Sequence, residues 1–300
     1  MKHAPKNIIA TFSIVGYDPE AQEWGIAVQS KFLGVGALVP YARAGAGAVA
    51  TQSLANTSYG PRGLELMESG LSAEEALEQL IKGDADREQR QVGLVDKQGR
   101  SASFTGKDCY EWAGGVTGPN YAAQGNILVG RETVETMGSV FEKSEGSLAE
   151  RLLKALDAGQ QAGGDRRGRQ SAALLVVRDK GGYGGYNDRA IDLRVDDHPS
   201  PIKELIRIYG LQQLYFSPSK PEDVVTIDNL LKGQLTSFMK KLGYINSEAD
   251  QEGARLSDEA FYKALTTFLH TENFEEREQE LGKIDLAVVR FMKEKAEQVR

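Results

Sequence analysis

A chain of 300 residues, 40% of them hydrophobic, is long enough for about two average domains and a substantial core, and no apolar run reaches the ~18 residues of a membrane span. A formal net charge of −7 counts against a general nucleic-acid binder, which needs a basic face, and the single cysteine, Cys109, excludes an intrachain disulfide framework or a multi-cysteine zinc site. The N-terminal "MKHAPKNIIA" lacks the long apolar segment of a secretory signal, so a cytoplasmic protein is expected, with no membrane and no nucleic-acid partner.

"TFSIVGYD" and "WGIAVQSK" read as an opening hairpin that turns at Asp18-Pro19, and "GAVATQSL" reads as a third strand. Two helices follow. Leu64, Met67 and Leu71 share a stripe in the first, and Ser72 caps a second that carries Ala76, Leu77, Leu80 and Ile81. "RQVGLVDKQGRSASFTG" is a second hairpin turning at "DKQG", and "NYAAQGNILVG" adds a strand. A second helical pair covers "RETVETMGSVFEKSEGSLAERLLKALDAGQQ", with Leu148, Leu152 and Leu156 in register. "RQSAALLVVRD", apolar enough for burial on both faces, and "RAIDLRVDD" close the module. Strands and helices in such blocks suit two stacked sheets with helices outside rather than a doubly wound sheet. The connection "HPSPIKELIRIYGLQQLYFSPSKPEDV" carries four prolines and a short helix. From Glu222 on, the pattern predicts an all-α bundle with three stripes: Val224, Ile227, Leu231, Leu235, Phe238 and Leu242; then Phe261, Leu265 and Phe268; then Leu281, Ile284, Val288 and Phe291. Acidic residues outnumber basic ones in this segment, so any ligand it binds is held by a pocket rather than by positive charge.

The stretches "TFSIVGYD", "WGIAVQSKFLGVGA", "GAGAVATQ", "YGPRGLELMESGLSAEEAL", "YAAQGNIL", "GGDRRGRQSAALLVV" and "DLRVDDHP" resemble the family known as domain of unknown function 1028, a member of the N-terminal nucleophile (Ntn) hydrolase fold. The C-terminal helices resemble a module catalogued as peptidoglycan-binding. The resemblance implies an α+β, four-layer αββα sandwich over residues 1–215, followed by a small all-α bundle over 222–300. It implies an amidohydrolase acting on a small amide or peptide-like substrate without cofactor or metal. The alternative is a catalytically silent sandwich that binds or assembles, with the helices as its recruiting arm. A peptidoglycan fragment is a candidate partner, and the arginine loop and sheet edges suggest a homo-oligomer.

In that fold the first residue of the first strand supplies both a nucleophilic hydroxyl or thiol and, as its own free α-amine, the base. An α-amine has a pKa near ~8 and can take the hydroxyl proton near neutral pH. Thr11 is the candidate nucleophile, and because ten residues precede it the mechanism requires cleavage of Ala10–Thr11. Equally open is Thr11 as an ordinary β-branched residue of a strand that starts at Ile8. Ser30 and Lys31 lie at the end of the second strand, where Gln29 stands in place of the acidic residue of proteasome-like enzymes. Asp165 and Ser171 are candidates for an acid and serine beside the nucleophile, and Arg169 for anchoring a substrate carboxylate, whereas at least two of Arg166, Arg167 and Arg169 are expected to fix the turn. Gln52, Asn56 and Asn126 are candidate donors to a developing oxyanion, against the commoner role of satisfying backbone groups. Asp196, Asp197 and His198 alternate faces on an extended strand and do not converge on a metal. Cys109 is read as a structural thiol.

Overall fold

The computed structural model describes residues 11–246 and 256–299, so the expected strand start at Ile8 and the Ala10 side of the Ala10–Thr11 bond lie outside the described residues. The chain divides into two compact units, residues 1–208 and 209–300.

The first unit is mixed α/β and built on antiparallel pairs. β1 (Thr11–Asp18) and β2 (Glu23–Ser30) form the hairpin, in register from Thr11↔Ser30 to Asp18↔Glu23. The Asp18 carboxylate accepts the Glu20 and Ala21 amides and closes the turn. β3 (Pro40–Arg43), β4 (Gly47–Ser53), β5 (Arg90–Asp96) and β6 (Ser101–Thr105) form a four-stranded sheet in chain order. β7 (Gly114–Gly118), β8 (Tyr121–Asn126), β9 (Ser171–Val177) and β10 (Arg189–Val195) join the hairpin in a six-stranded sheet, ordered β10-β9-β2-β1-β8-β7. Every residue of β9 is buried, as its unbroken apolar run predicts.

Helices α1 (Tyr59–Glu68) and α2 (Ala73–Lys82) pack on the four-stranded sheet, burying Leu64, Met67, Leu77 and Leu80 against Val49, Val92 and Leu94. Leu71, expected on the first stripe, falls in the turn after α1. α3 (Glu132–Lys143) and α4 (Leu148–Gln161) pack on β1, β2 and β8 of the other sheet. Capping boxes Ser72/Glu75 and Ser147/Glu150 start α2 and α4, each satisfying two otherwise orphaned backbone donors. Gly16 and Gly25 face each other across the hairpin; a Cβ on either would lie 2.8–2.9 Å from Phe141 or Leu152, so their bare backbone is what lets α3 and α4 approach.

Alternation along β1 then sorts its side chains. Gly16 shares a face with Phe12 and Ile14 toward α3 and α4, whereas Val15 and Tyr17 join Val28, Ala48, Ala50 and Val95 in the core between the sheets. Ser13 points the same way and donates to Gln52 of the facing sheet. Thr11 takes that inter-sheet face too, at the end of the strand.

Helix α5 (Pro201–Phe216) runs for 16 residues where a short helix was expected, because Leu205 and Tyr209 extend the apolar stripe that Ile202 begins. In the second unit, the expectation of an all-α bundle is corrected: β11 (Val224–Thr226) and β12 (Lys283–Asp285) form a two-stranded antiparallel sheet, pairing Val225 with Ile284. Val224 and Ile284 therefore belong to strands, and Leu281 is exposed, although all three were assigned to helical stripes. Too short a stretch of alternation precedes each helix for the strands to be told from a helical turn. The helical region itself is α6 (Asn229–Lys241), α7 (Asp258–Thr271) and α8 (Leu286–Gln298), around Leu235, Met239, Phe261, Phe268, Phe274, Val288 and Met292. Inside it, Arg277 donates to Asp285 and to the Gln213 and Leu214 carbonyls, while Asp285 also accepts the Ala287 amide as N-cap of α8. Burial works to raise the Asp285 pKa, but the hydrogen bonds from Ser219, Ala287 and Arg277 overcome it and hold the carboxyl below its ordinary range.

Candidate active site

Four polar side chains cross one end of the six-stranded sheet in a row. Asn126 of β8, Thr11 of β1, Ser30 of β2 and Ser171 of β9 are direct cross-strand neighbours, so they share the inter-sheet face. Thr11 is fully buried, and its Oγ1 donates to Ser30 Oγ at 3.1 Å. From the facing sheet, Gln52 Nε2 reaches the Thr11 carbonyl at 3.3 Å and Gln91 Oε1 at 2.9 Å, while Gln52 Oε1 accepts the Ser13 hydroxyl at 2.6 Å. Asn126 Nδ2 donates to the same Gln91 oxygen at 2.9 Å. The Gln91 amide nitrogen closes the network on Thr105 Oγ1 and the Gly125 carbonyl. Thr11, Ser30, Gln52 and Asn126, named from the sequence, are thus in one buried cluster. The Asn126 Oδ1 atom has no partner among the described residues.

Gln91, Ser13 and Gln124 complete this cluster and escaped the sequence reading. The available signal was a polar residue at an inward position of a strand whose other inward positions are apolar. Seeing it requires knowing which face of each strand is inward, and β1, β4, β5 and β8 are buried on both faces along nearly their whole length.

The loop 163–170 passes the same sheet end, where the Gln170 amide donates to the Ser30 carbonyl and Arg166 N to the Ile127 carbonyl. Asp165 is its anchor: the carboxylate accepts the Lys31 amide at 2.9 Å, the Arg167 amide at 2.9 Å and the Arg167 guanidinium at 3.0 Å. Arg166 donates to the Glu111 carbonyl, so these two arginines hold the turn. Arg169 is exposed, and its carbonyl accepts Lys31 Nζ at 3.4 Å. Lys31 is exposed as well, its ammonium directed to that loop carbonyl. Ser171 donates its hydroxyl to the Phe32 carbonyl and accepts the Val35 amide, which commits it to the 32–35 segment.

Asn56 goes elsewhere. It donates to Asp84, which also receives Tyr59 and Arg90. The hydrogen bond from Arg90, opposed by burial and aided by Asn56, the Asp86 amide and Tyr59, holds the Asp84 carboxyl far below its usual range. Burial and the Asp84 contact push the Tyr59 phenol well up. Gln29 is opposite Phe12 in the ladder and so faces α3 and α4, away from Thr11; its amide is buried without a partner among the described residues. Of the acidic run, Asp197 accepts Gln170 Nε2 and His198 Nδ1 accepts the Ser200 amide. Burial raises the Cys109 thiol pKa, and its sulfur contacts the Arg90 carbonyl.

No curated protein matches this chain. Residues 215–292 match the family model described as "Putative peptidoglycan binding domain". The crystal structure of protein SPO2555 from Silicibacter pomeroyi, of the DUF1028 family, is similar at 31% identity and a TM-score of 0.61, over 68% of this chain and 89% of that one. Residues 11–205 match the model of the family of unknown function DUF1028, and the chain belongs to that family.

Proposed function

We propose that residues 11–208 form a four-layer αββα sandwich of the Ntn-hydrolase type and act as an amidohydrolase on a small amide or peptide-like substrate. The observation that carries the reading is Thr11 at the head of β1, its hydroxyl on the inter-sheet face beside Ser30, with the Thr11 carbonyl clamped by Gln52. Cleavage of Ala10–Thr11 frees the α-amine. That amine takes the Thr11 hydroxyl proton as the oxygen attacks the substrate carbonyl, the amine leaving group departs with the proton, and water hydrolyses the resulting ester. Ser30 orients the hydroxyl, and Asn126, directly opposite Thr11 across the β1–β8 pair, offers a donor to a developing oxyanion once its amide nitrogen is released from Gln91 Oε1. Asp165 and Lys31 shape the rim by fixing the 163–170 loop rather than by proton transfer. For the C-terminal unit the proposed role is to bind peptidoglycan, a reading supported by its family match.

Intact-mass measurement and N-terminal sequencing of protein from its own host test the scheme: a chain beginning at Thr11 supports it, and persistent retention of Met1 to Ala10 removes the base. On a panel of small amides, Thr11→Ala is expected to lose at least ~10³-fold in activity with the fold intact. Full activity in that variant would sink the assignment. A second reading, a sandwich that binds without catalysis, is favoured by the complete burial of Thr11. An unprocessed N-terminus together with no amidase activity would select it.

A further inference from the structure

The C-terminal unit has a cleft of about 260 Å³ between α7 and the segment 277–284, near the lower end of the ~300–1,000 Å³ of small-molecule sites. Leu265, Leu269 and Ile284 supply its apolar lining, Tyr262 lines it from α7, and Leu281, 81% exposed, stands beside it. Tyr262 and Thr266, both half-buried, bring two hydroxyls to the cleft lining. The charged side chains around the cleft are already matched. Glu280 pairs with Lys283, Glu278 with His270, Arg277 with Asp285, and Lys232, over the Tyr262 ring, with Asp258. Arg277, the natural anchor for a carboxylate, is further engaged by two carbonyls.

Peptidoglycan offers two chemistries: a stem peptide bearing carboxylates and an amine, and a glycan strand of N-acetylated sugars whose pyranose rings have an apolar C–H face and neutral hydroxyls. An unpaired counter-charge is what the first would need, and among the described residues the charged side chains of the lining are paired. An aromatic ring, an apolar floor and neutral hydroxyls, which the lining supplies, are what the second would need. We propose that this cleft binds an N-acetylated sugar ring of the glycan strand, with Tyr262 as the stacking surface and Leu281 covering it. The proposal rests on the peptidoglycan reading of residues 215–292 and selects the moiety recognised.

Calorimetric titration of the full chain with an N-acetylglucosamine tetramer, and separately with a free stem peptide, tests it. The tetramer is expected to bind with little dependence on salt, and Tyr262→Ala or Leu281→Glu to weaken it ~10-fold, about the value of one aromatic contact. Leu281 is exposed, so its variant probes the site without risk to the fold. Binding of the peptide but not the tetramer overturns the choice of moiety and leaves the peptidoglycan reading standing. Retention on insoluble peptidoglycan with neither small ligand bound also overturns it. Failure to bind tetramer, peptide and insoluble peptidoglycan alike overturns both.

Discussion

Two buried regions, the inter-sheet end beside Thr11 in the first unit and the strand pair of the second, hold polarity in opposite ways. Between the sheets of the first unit lies a neutral network of amides and hydroxyls, Ser13, Gln52, Gln91, Gln124 and Asn126, whose members bridge two sheets. In the second unit the most buried ion pair among the described residues is Arg277–Asp285, which ties the end of α5 to the start of α8. A neutral network distributes its cost over many small terms, whereas a buried ion pair concentrates it in one contact whose loss leaves a bare charge. The first arrangement fixes several side chains at once across two sheets; the second is a clasp.

The sharpest test is Asp285→Asn, which leaves Arg277 buried without its counter-ion and is expected to destabilise the second unit by ~3–5 kcal/mol. Denaturant unfolding monitored with hydrogen exchange checks it, and loss confined to amides of residues 209–299 is the expected pattern. A cost below that of a network mutation would erase the contrast. The same carboxyl gives a pH signature. Held below its ordinary range, it contributes stability that is complete above the unfolded pKa of ~3.9 and is lost as pH falls through the lowered folded value. Asp84 has the same sign, so acid weakens both units.

Next in size is Gln91→Leu, which takes the acceptor from Gln52 and Asn126 and the donor from the Gly125 carbonyl, at ~1–3 kcal/mol for the unsatisfied groups. A melting curve measures it, and on the amidohydrolase reading kcat falls as well because Thr11 loses its frame. Gly25→Ala drives a methyl toward Leu152 and is expected to cost ~1–3 kcal/mol by overpacking, with kcat unchanged. The smallest effect belongs to His270. Its hydrogen bond to Glu278 raises its pKa, so its contribution is present below the unfolded value of ~6.5 and disappears as pH rises through the raised one. An NMR titration of His270 in wild type and Glu278→Gln reads this directly, and identical midpoints would show that the pair is without effect.

Much of this was legible in the sequence because it rests on local chemistry. Asp18-Pro19 and "DKQG" stop strands, Ser72 with a glutamate three residues on starts a helix, and Leu148, Leu152 and Leu156 recur at the helical period. Such signals act over a few residues and survive any tertiary context. β7, with its glycines, and β11 and β12, three residues each, carried too little pattern to be seen.

Within the candidate site, Thr11 and Ser30 were readable because hairpin register makes them neighbours once the turn is placed. Asn126, Gln52 and Gln91 depend on which strands pair and which sheet faces which, contacts 35 to 41 residues apart that no local rule specifies. Tertiary packing alone sent Asn56 to Asp84, turned Gln29 toward the helices and committed Ser171 to the 32–35 segment. A short polar side chain bonds whatever buried partner the fold brings within about 3 Å. Composition can name the candidates, but strand pairing and sheet stacking decide their partners.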